Sequence, residues 1–290
     1  MGAADVVPGV SGGTVAFISG IYAELLNSIR ACTPAALMIL VRSGPRVFWQ
    51  HINGTFLAVL FSGVLCSVAT LAKLITYLLE QHTVLVWSFF FGLIVASVLF
   101  IWRQLERVGV VEYVFLVLGI GLAVGLGFAP RAELEVTHLS IFGAGMLAIC
   151  AMILPGISGS FILLLLGMYA TIVKAVAELN AVLLAVFFAG CVSGLMVFSH
   201  VLSALLARYK GQTLSLLTGF LAGSLVMVWP WQIPKLASNH GSAQALHLLT
   251  PSGFAELVGD PHYGFSVGLM LLGLSLVLGL EYLGNQRDSA

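Results

Sequence analysis

The sequence predicts an all-α integral membrane protein made of two inverted repeats, each a re-entrant broken-helix hairpin followed by three transmembrane helices. Three observations carry that prediction. Hydrophobic residues make up 60% of the 290 positions, charged residues only 8%, and mean hydropathy is +1.07, whereas soluble domains carry roughly 25% charged residues. Apolar runs of about 20 residues, the length that crosses a bilayer, recur along the chain. One phrase is also written twice in apolar surroundings. Pro8-Gly9-Val10-Ser11-Gly12-Gly13, followed by Gly20-Ile21-Tyr22-Ala23, returns as Pro155-Gly156-Ile157-Ser158-Gly159-Ser160, followed by Gly167-Met168-Tyr169-Ala170. Duplicated helix breakers in a membrane chain point to a binding site at the repeat interface, usually that of a transporter.

The first repeat takes residues 1–135: a re-entrant element over 1–28, then spans at 54–79, 84–102 and 112–130. The second takes 136–290: a re-entrant element over 139–175, then spans at 182–206, 212–230 and 264–283. The span at 212–230 closes on Trp229-Pro230-Trp231, an interfacial aromatic stop. Both repeats together form one transport domain. Residues 231–262, rich in Ser, Gly, Pro and His, are the longest extramembrane stretch, either a periplasmic cap or a linker.

The repeat extends beyond the motif. Residues 57–102 align without a gap on 184–229, so that Gly63, Gly92, Ser97 and Trp102 meet Gly190, Gly219, Ser224 and Trp229. Leu118-Gly119-Ile120 and Gly125-Leu126 likewise pair with Leu272-Gly273-Leu274 and Gly279-Leu280. If each motif segment turns back, a unit has three crossings, an odd number, and the second copy is upside down. Charge placement agrees. With residues 28–53 cytoplasmic, Arg30, Arg42, Arg46, Arg103, Arg107, Arg208, Lys210 and Arg287 fall inside, and Arg131, Lys174 and Lys235 outside, as the positive-inside rule prefers.

The chemistry of the motif follows from its residues. Proline lacks a backbone N–H, glycine reaches conformations other residues resist, and Ser or Thr begins the next half-helix as an N-cap. A half-helix start carries N–H donors and roughly half a positive charge, which suits an anion. Pro8, Gly9, Ser11, Gly12, Gly13 and Thr14, with Pro155, Gly156, Ser158, Gly159 and Ser160, are therefore the expected substrate-binding residues. Their backbone N–H groups and hydroxyls would cradle a phosphate without many arginines. Close helix packing by small residues accounts for scattered glycines such as Gly119, Gly121 and Gly125, but not for the duplicated proline.

Several classes are excluded or disfavoured. Acids and bases balance at twelve each, so no basic field argues for nucleic acid. The four cysteines, Cys32, Cys66, Cys150 and Cys191, are far apart and read as small core residues, with no disulfide, metal or cofactor expected. The opening Met1-Gly2-Ala3-Ala4-Asp5 lacks a basic n-region, so no signal peptide is expected, and Val6 breaks the myristoylation pattern. No cluster of nucleophile, base and acid is visible, and no catalytic residue is assigned.

At this point the stretch Gly2-Ala3-Ala4-Asp5-Val6-Val7-Pro8-Gly9-Val10-Ser11-Gly12-Gly13-Thr14, with Gly20-Ile21-Tyr22-Ala23-Glu24, resembles the opening signature of the polyprenyl-phosphate transporter family, long catalogued as domain of unknown function 368. Leu154-Pro155-Gly156-Ile157-Ser158-Gly159-Ser160 is similar to that family's later motif, and the resemblance covers essentially the whole chain. Family members usually carry a short lead-in, which would start this chain inside the first half-helix. The resemblance implies a flippase of the bacterial cytoplasmic membrane. Undecaprenyl phosphate, freed on the outer face after cell-wall polymer assembly, would be returned to the inner leaflet for reuse as lipid carrier in peptidoglycan synthesis. The partners expected are this polyprenyl phosphate and the bilayer; glycine-rich faces would permit a homo-oligomer without specifying one.

Charged residues within membrane segments are candidates by default. Asp5 and Glu24 flank the first motif and would serve headgroup or proton coupling, or else cap and solvate half-helix ends. Lys73 either meets phosphate or an acid, or snorkels to an interface near Glu80; its counterpart in the second copy is His200, which can change charge near neutral pH. Arg103, after Trp102, is a headgroup contact or an interfacial anchor. The alternative function is a secondary transporter of a small soluble anion, which would need a wet vestibule.

Overall fold

The computed structural model describes residues 1–5, 11–105, 108–130, 132, 134–234 and 246–288. Helices dominate it. In chain order they are α1 (Gly2–Asp5), α2 (Gly12–Ile18), α3 (Tyr22–Ala31), α4 (Pro34–Ser43), α5 (Pro45–His51), α6 (Gly54–Gln81), α7 (Thr83–Arg103) and α8 (Val110–Phe128). There follow α9 (His138–Ile153), α10 (Gly159–Leu165), α11 (Tyr169–Ala177), α12 (Ala181–Arg208), α13 (Lys210–Ser224), α14 (Pro251–Leu257) and α15 (Tyr263–Asp288). Between α13 and α14, β1 (Gln232–Pro234) pairs antiparallel with β2 (Leu246–Leu248). This small ribbon, with α14, occupies the stretch read as extramembrane.

The protein is a multi-pass membrane protein. α6, α7, α8 and α12 are each long and apolar enough to cross a bilayer, α9 and Tyr263–Gly279 are shorter apolar helices, and α10 and α11 form a pair bent by 112°. Large side chains such as Val59, Leu65 and Phe188 stand outward on α6 and α12, as a lipid-facing surface requires. α13 holds only 15 residues, about 22 Å of helix at 1.5 Å per residue. It ends at Ser224, short of residue 230, the end expected for that span, and a single further turn reaches Val228.

Local sequence sets the ends. Thr33 caps α4 ahead of Pro34, whose missing N–H falls where the helix has no partner for one. Thr137 and Ser140 form a reciprocal capping box for α9. The Asn180 side chain accepts from Leu183 N at the start of α12.

Helix pairs repeat between the two halves. α8 packs on α13 and α7 on α15; α9 packs on α12 and α1 on α6. Glycines make the first two contacts close. A Cβ on Gly119 would strike the Leu216 carbonyl, and one on Gly219 the Leu116 carbonyl. The same happens in the other half, where Gly273 faces the Phe89 carbonyl and Gly92 the Met270 carbonyl. These four positions are counterparts under the alignment, residue for residue. Gly121 and Gly125 behave differently from the packing role expected of them: nothing lies within 4 Å of a Cβ at either.

Directions follow from which ends meet. Gln104 and Leu105, at the end of α7, share a cavity with Lys210 and Gly211 at the start of α13. Gln81 to Leu85, around the start of α7, share another with Pro230 and Gln232 beyond α13. The counterparts α7 and α13 therefore run antiparallel. Asn53, just before α6, and Ser203, near the end of α12, both bond to α3, through Glu24 on one side and Asn27 and Arg30 on the other. The start of α6 and the end of α12 thus lie at the same face.

The core sits between these pairs. Leu26, Ile94, Ile101, Leu217, Leu221 and Val228 are fully buried, and they join α3, α7, α13 and the turn after it around the two motif segments.

Candidate functional site

The second motif turns where α9 stops. Leu154 leaves the helix in extended conformation, and Gly156 follows at φ +85° with the Phe220 carbonyl and Ser224 Oγ each about 3 Å from where its Cβ would lie. Both the left-handed backbone and the space demand glycine here. α10 then returns along α9, with Gly159 against the Ala148 carbonyl. The Ala132 amide donates to the Leu165 carbonyl at 2.7 Å, so α10 ends beside the residues that precede α9.

The break leaves carbonyls at the end of α9 without helical donors, and inside a membrane no water replaces them. The first motif supplies the donors. Ser11 Oγ donates to the Met152 carbonyl at 3.0 Å, and Tyr22 Oη donates to the Ile153 carbonyl at 3.1 Å. Gly13 brings its backbone so close that a Cβ would sit 2.6 Å from the Ile153 carbonyl oxygen. In return the Gly156 amide donates to Thr14 Oγ1 at 3.0 Å. Ser11 and Thr14 are buried, at 1% and 0% exposure. Two motifs far apart in sequence are thus stitched into one buried polar seam.

The two half-helix starts differ. At the first, the Gly12 amide donates to Asp5 Oδ1 at 2.7 Å and the Gly13 amide to Ser11 Oγ at 3.1 Å. The donors expected to receive a phosphate are here bonded to the chain's own acceptors, one of them a carboxylate. At the second, Ser158 makes no cap; its hydroxyl is paired with Ser160 Oγ at 2.8 Å. A cavity of about 10 Å³ adjoins Gly156, Ile157 and Ser158, room for about one water. Among the described residues, Thr14 and Tyr22 make bonds that their counterparts do not: position 161 is Phe, and Tyr169 is 41% exposed.

Pro8 and Gly9 lie outside the described residues, as do Arg107, Arg131 and Lys235 of the charge pattern. Pro155 and Gly156 form the turn, and Gly159 and Ser160 open α10. Glu24 is exposed and accepts from Asn53 Nδ2 at 2.7 Å. Lys73 and His200 are exposed on α6 and α12, and His200 Nδ1 lies 2.8 Å from the Met196 carbonyl of its own helix. Arg103 is exposed at the last residue of α7. No hydrogen bond or ion pair among the described residues joins Lys73, His200 or Arg103 to the seam. Asp5 is the one charged candidate that the fold carries into it.

Tyr22 and the carbonyls of Met152 and Ile153 were not among the expected site residues. Tyr22 did carry a signal, since it belongs to the duplicated Gly-x-Tyr-Ala phrase. The carbonyls carried none.

A family model described as undecaprenyl phosphate translocase-like matches residues 1–244. The chain is similar to a polyprenyl-phosphate transporter of Vibrio cholerae serotype O1, with 47% identity over 286 residues, covering 97% of this chain and 93% of the relative. It is also similar to a polyprenyl-phosphate transporter of Staphylococcus aureus, with 35% identity over 249 residues, covering 79% of this chain and 83% of that relative. No solved structure matches it.

Proposed function

The chain belongs to the undecaprenyl phosphate translocase-like family, and from that premise we propose that it returns undecaprenyl phosphate from the outer to the inner leaflet of the bacterial cytoplasmic membrane. It acts as a transporter rather than an enzyme, by alternating access of two inverted units about the paired Pro-Gly-x-Ser-Gly motifs. The observation that carries this reading is the seam itself: Ser11, Thr14 and Tyr22 bonded to Met152, Gly156 and Ile153.

Hydroxyl and amide bonds join the motifs, within an apolar cluster that also holds Phe17, Tyr22, Ile153 and Ile157. Exchanging these bonds for bonds to phosphate oxygens keeps each donor paired but frees the Met152 and Ile153 carbonyls, at about 1–3 kcal/mol each, a cost that the bonds to the charged phosphate must offset. The Gly12 and Gly13 amides are the first donors a phosphate would meet. Asp5 competes for one of them, so protonation or displacement of its carboxylate opens the position, and that links the lipid's passage to a proton. The phosphate is small and the prenyl chain long, so the protein shelters the headgroup while the chain stays in apolar surroundings.

Inversion of the repeats is supported by the antiparallel course of α7 and α13 and by the shared face of the α6 start and α12 end. Arg30, Arg103, Arg208 and Lys210 sit at that face, which the positive-inside rule assigns to the cytoplasm. Each motif segment then enters and leaves on one side of the membrane as a re-entrant hairpin, and the repeats divide near residue 135.

The test is transbilayer movement of undecaprenyl phosphate in proteoliposomes, for the wild type and a Ser11→Ala, Ser158→Ala double variant shown to be folded. Movement by the wild type that the variant loses supports both lipid and site. No movement by the wild type under any imposed gradient, together with uptake of free phosphate or a carboxylate, would make the protein a small-anion transporter.

A further inference from the structure

A groove of about 650 Å³ opens between α8, α12 and α13, within the roughly 300–1,000 Å³ of ligand pockets. Its inner end is Leu154, the residue directly before Pro155-Gly156, with Phe198 and Phe220 beside it. Phe220 is also the residue whose carbonyl abuts Gly156. From there the groove runs outward past Leu202 and Leu205 to Tyr209 and Gln212. Its lining is apolar throughout, except for Tyr209, Gln212 and Thr213 at the outer end. Its rim is formed by residues exposed on the lipid-facing surface: Val111 at 51%, Val201 at 50% and Leu205 at 41%.

We infer that this groove holds the first isoprene units of the substrate's prenyl chain while the phosphate occupies the motif seam. The inference rests on the reading of the seam as the phosphate site. A soluble anion would leave the groove without use, whereas a lipid phosphate bound at a buried turn needs an apolar exit for the chain attached to it. The groove begins at Leu154, beside that turn, and opens sideways along Val111, Val201 and Leu205, so the chain reaches lipid past apolar residues, short of Tyr209, Gln212 and Thr213. Its mouth lies at the face of Arg208 and Lys210, which assigns this conformation to lipid exchange with that leaflet.

The chain-length dependence of a groove-filling variant tests this. Leu205→Trp fills the outer half while leaving Leu154 and Phe198 open. It is expected to slow transport of undecaprenyl phosphate about tenfold while changing transport of geranyl phosphate, whose chain has only two isoprene units, by less than about twofold. Equal transport of both lipids by the variant and the wild type would overturn the groove but leave the seam standing. Failure of the wild type to move either lipid would overturn the seam reading, and the groove with it.

Labelling of the wild type does not depend on how the variant folds. A prenyl phosphate with a diazirine in its first isoprene unit is expected to label peptides spanning 198–220, and undecaprenyl phosphate to compete. Labelling confined to other helices would refute the proposal. Equal labelling by a diazirine phospholipid, without competition, would make the groove a contact for bulk lipid only.

Discussion

Thr14 Oγ1 accepts a hydrogen bond from the Gly156 amide at 3.0 Å, joining residues 142 positions apart, one in the first turn of α2 and one in the turn after α9. Thr14→Val keeps the shape and removes the acceptor, leaving a buried N–H unpaired at about 1–3 kcal/mol. Thermal unfolding in detergent should show that loss, with transport reduced. Thr14→Ser, which restores the hydroxyl, should recover most of both. A Thr14→Val variant as stable and active as the wild type would mean that the bond is incidental.

Tyr22 and Tyr169 hold equivalent places in the duplicated phrase, yet among the described residues only Tyr22 Oη reaches a broken-helix carbonyl, that of Ile153 at 3.1 Å. Tyr22→Phe should therefore destabilise the seam by about 1–3 kcal/mol, and Tyr169→Phe should be neutral. Comparable losses from the two variants in the same melting assay would contradict the asymmetry.

The Asp5 carboxylate accepts from the Gly12 amide at 2.7 Å, and the amide oxygen of Asn can accept the same bond. Asp5→Asn should thus fold while losing a titrating charge at the start of α2. Reduced transport with a flattened pH profile is expected in proteoliposomes. Wild-type rates across a pH series would discard Asp5 as the coupling group.

Gly92, Gly119, Gly219 and Gly273 each let a helix meet a facing backbone carbonyl. Alanine at any of them must push two helices apart, and a loss of about 1–3 kcal/mol or more is expected from overpacking. Gly121→Ala and Gly125→Ala meet open space and should leave the melting temperature unchanged or raise it, since Ala favours helix over Gly.

Lys73 is exposed on α6, as an interfacial lysine that snorkels would be. Lys73→Gln should keep transport within about twofold of the wild type. A large loss would restore Lys73 as a headgroup contact reached in another conformation.

Much of this was legible in the sequence, because hydropathy and helix breaking are local properties. The apolar runs placed α6, α7, α8 and α12 within a few residues, and Pro155-Gly156 marked the end of α9 because no helix continues through them. The Pro-Gly-x-Ser-Gly duplication marked two related segments, and pairwise matching of Gly92 with Gly219 and Gly119 with Gly273 announced related packing faces. By itself, then, the sequence determined a membrane protein of two similar halves with a break in each. Only the tertiary structure decided that Ser11 and Tyr22 serve carbonyls of the other half, that Asp5 closes the first half-helix start, and that Gly119 packs where Gly121 does not. The reason is physical: a hydroxyl's partner and a glycine's neighbour are set by how helices distant in sequence come to rest against one another, and two copies of one phrase can meet unlike surroundings.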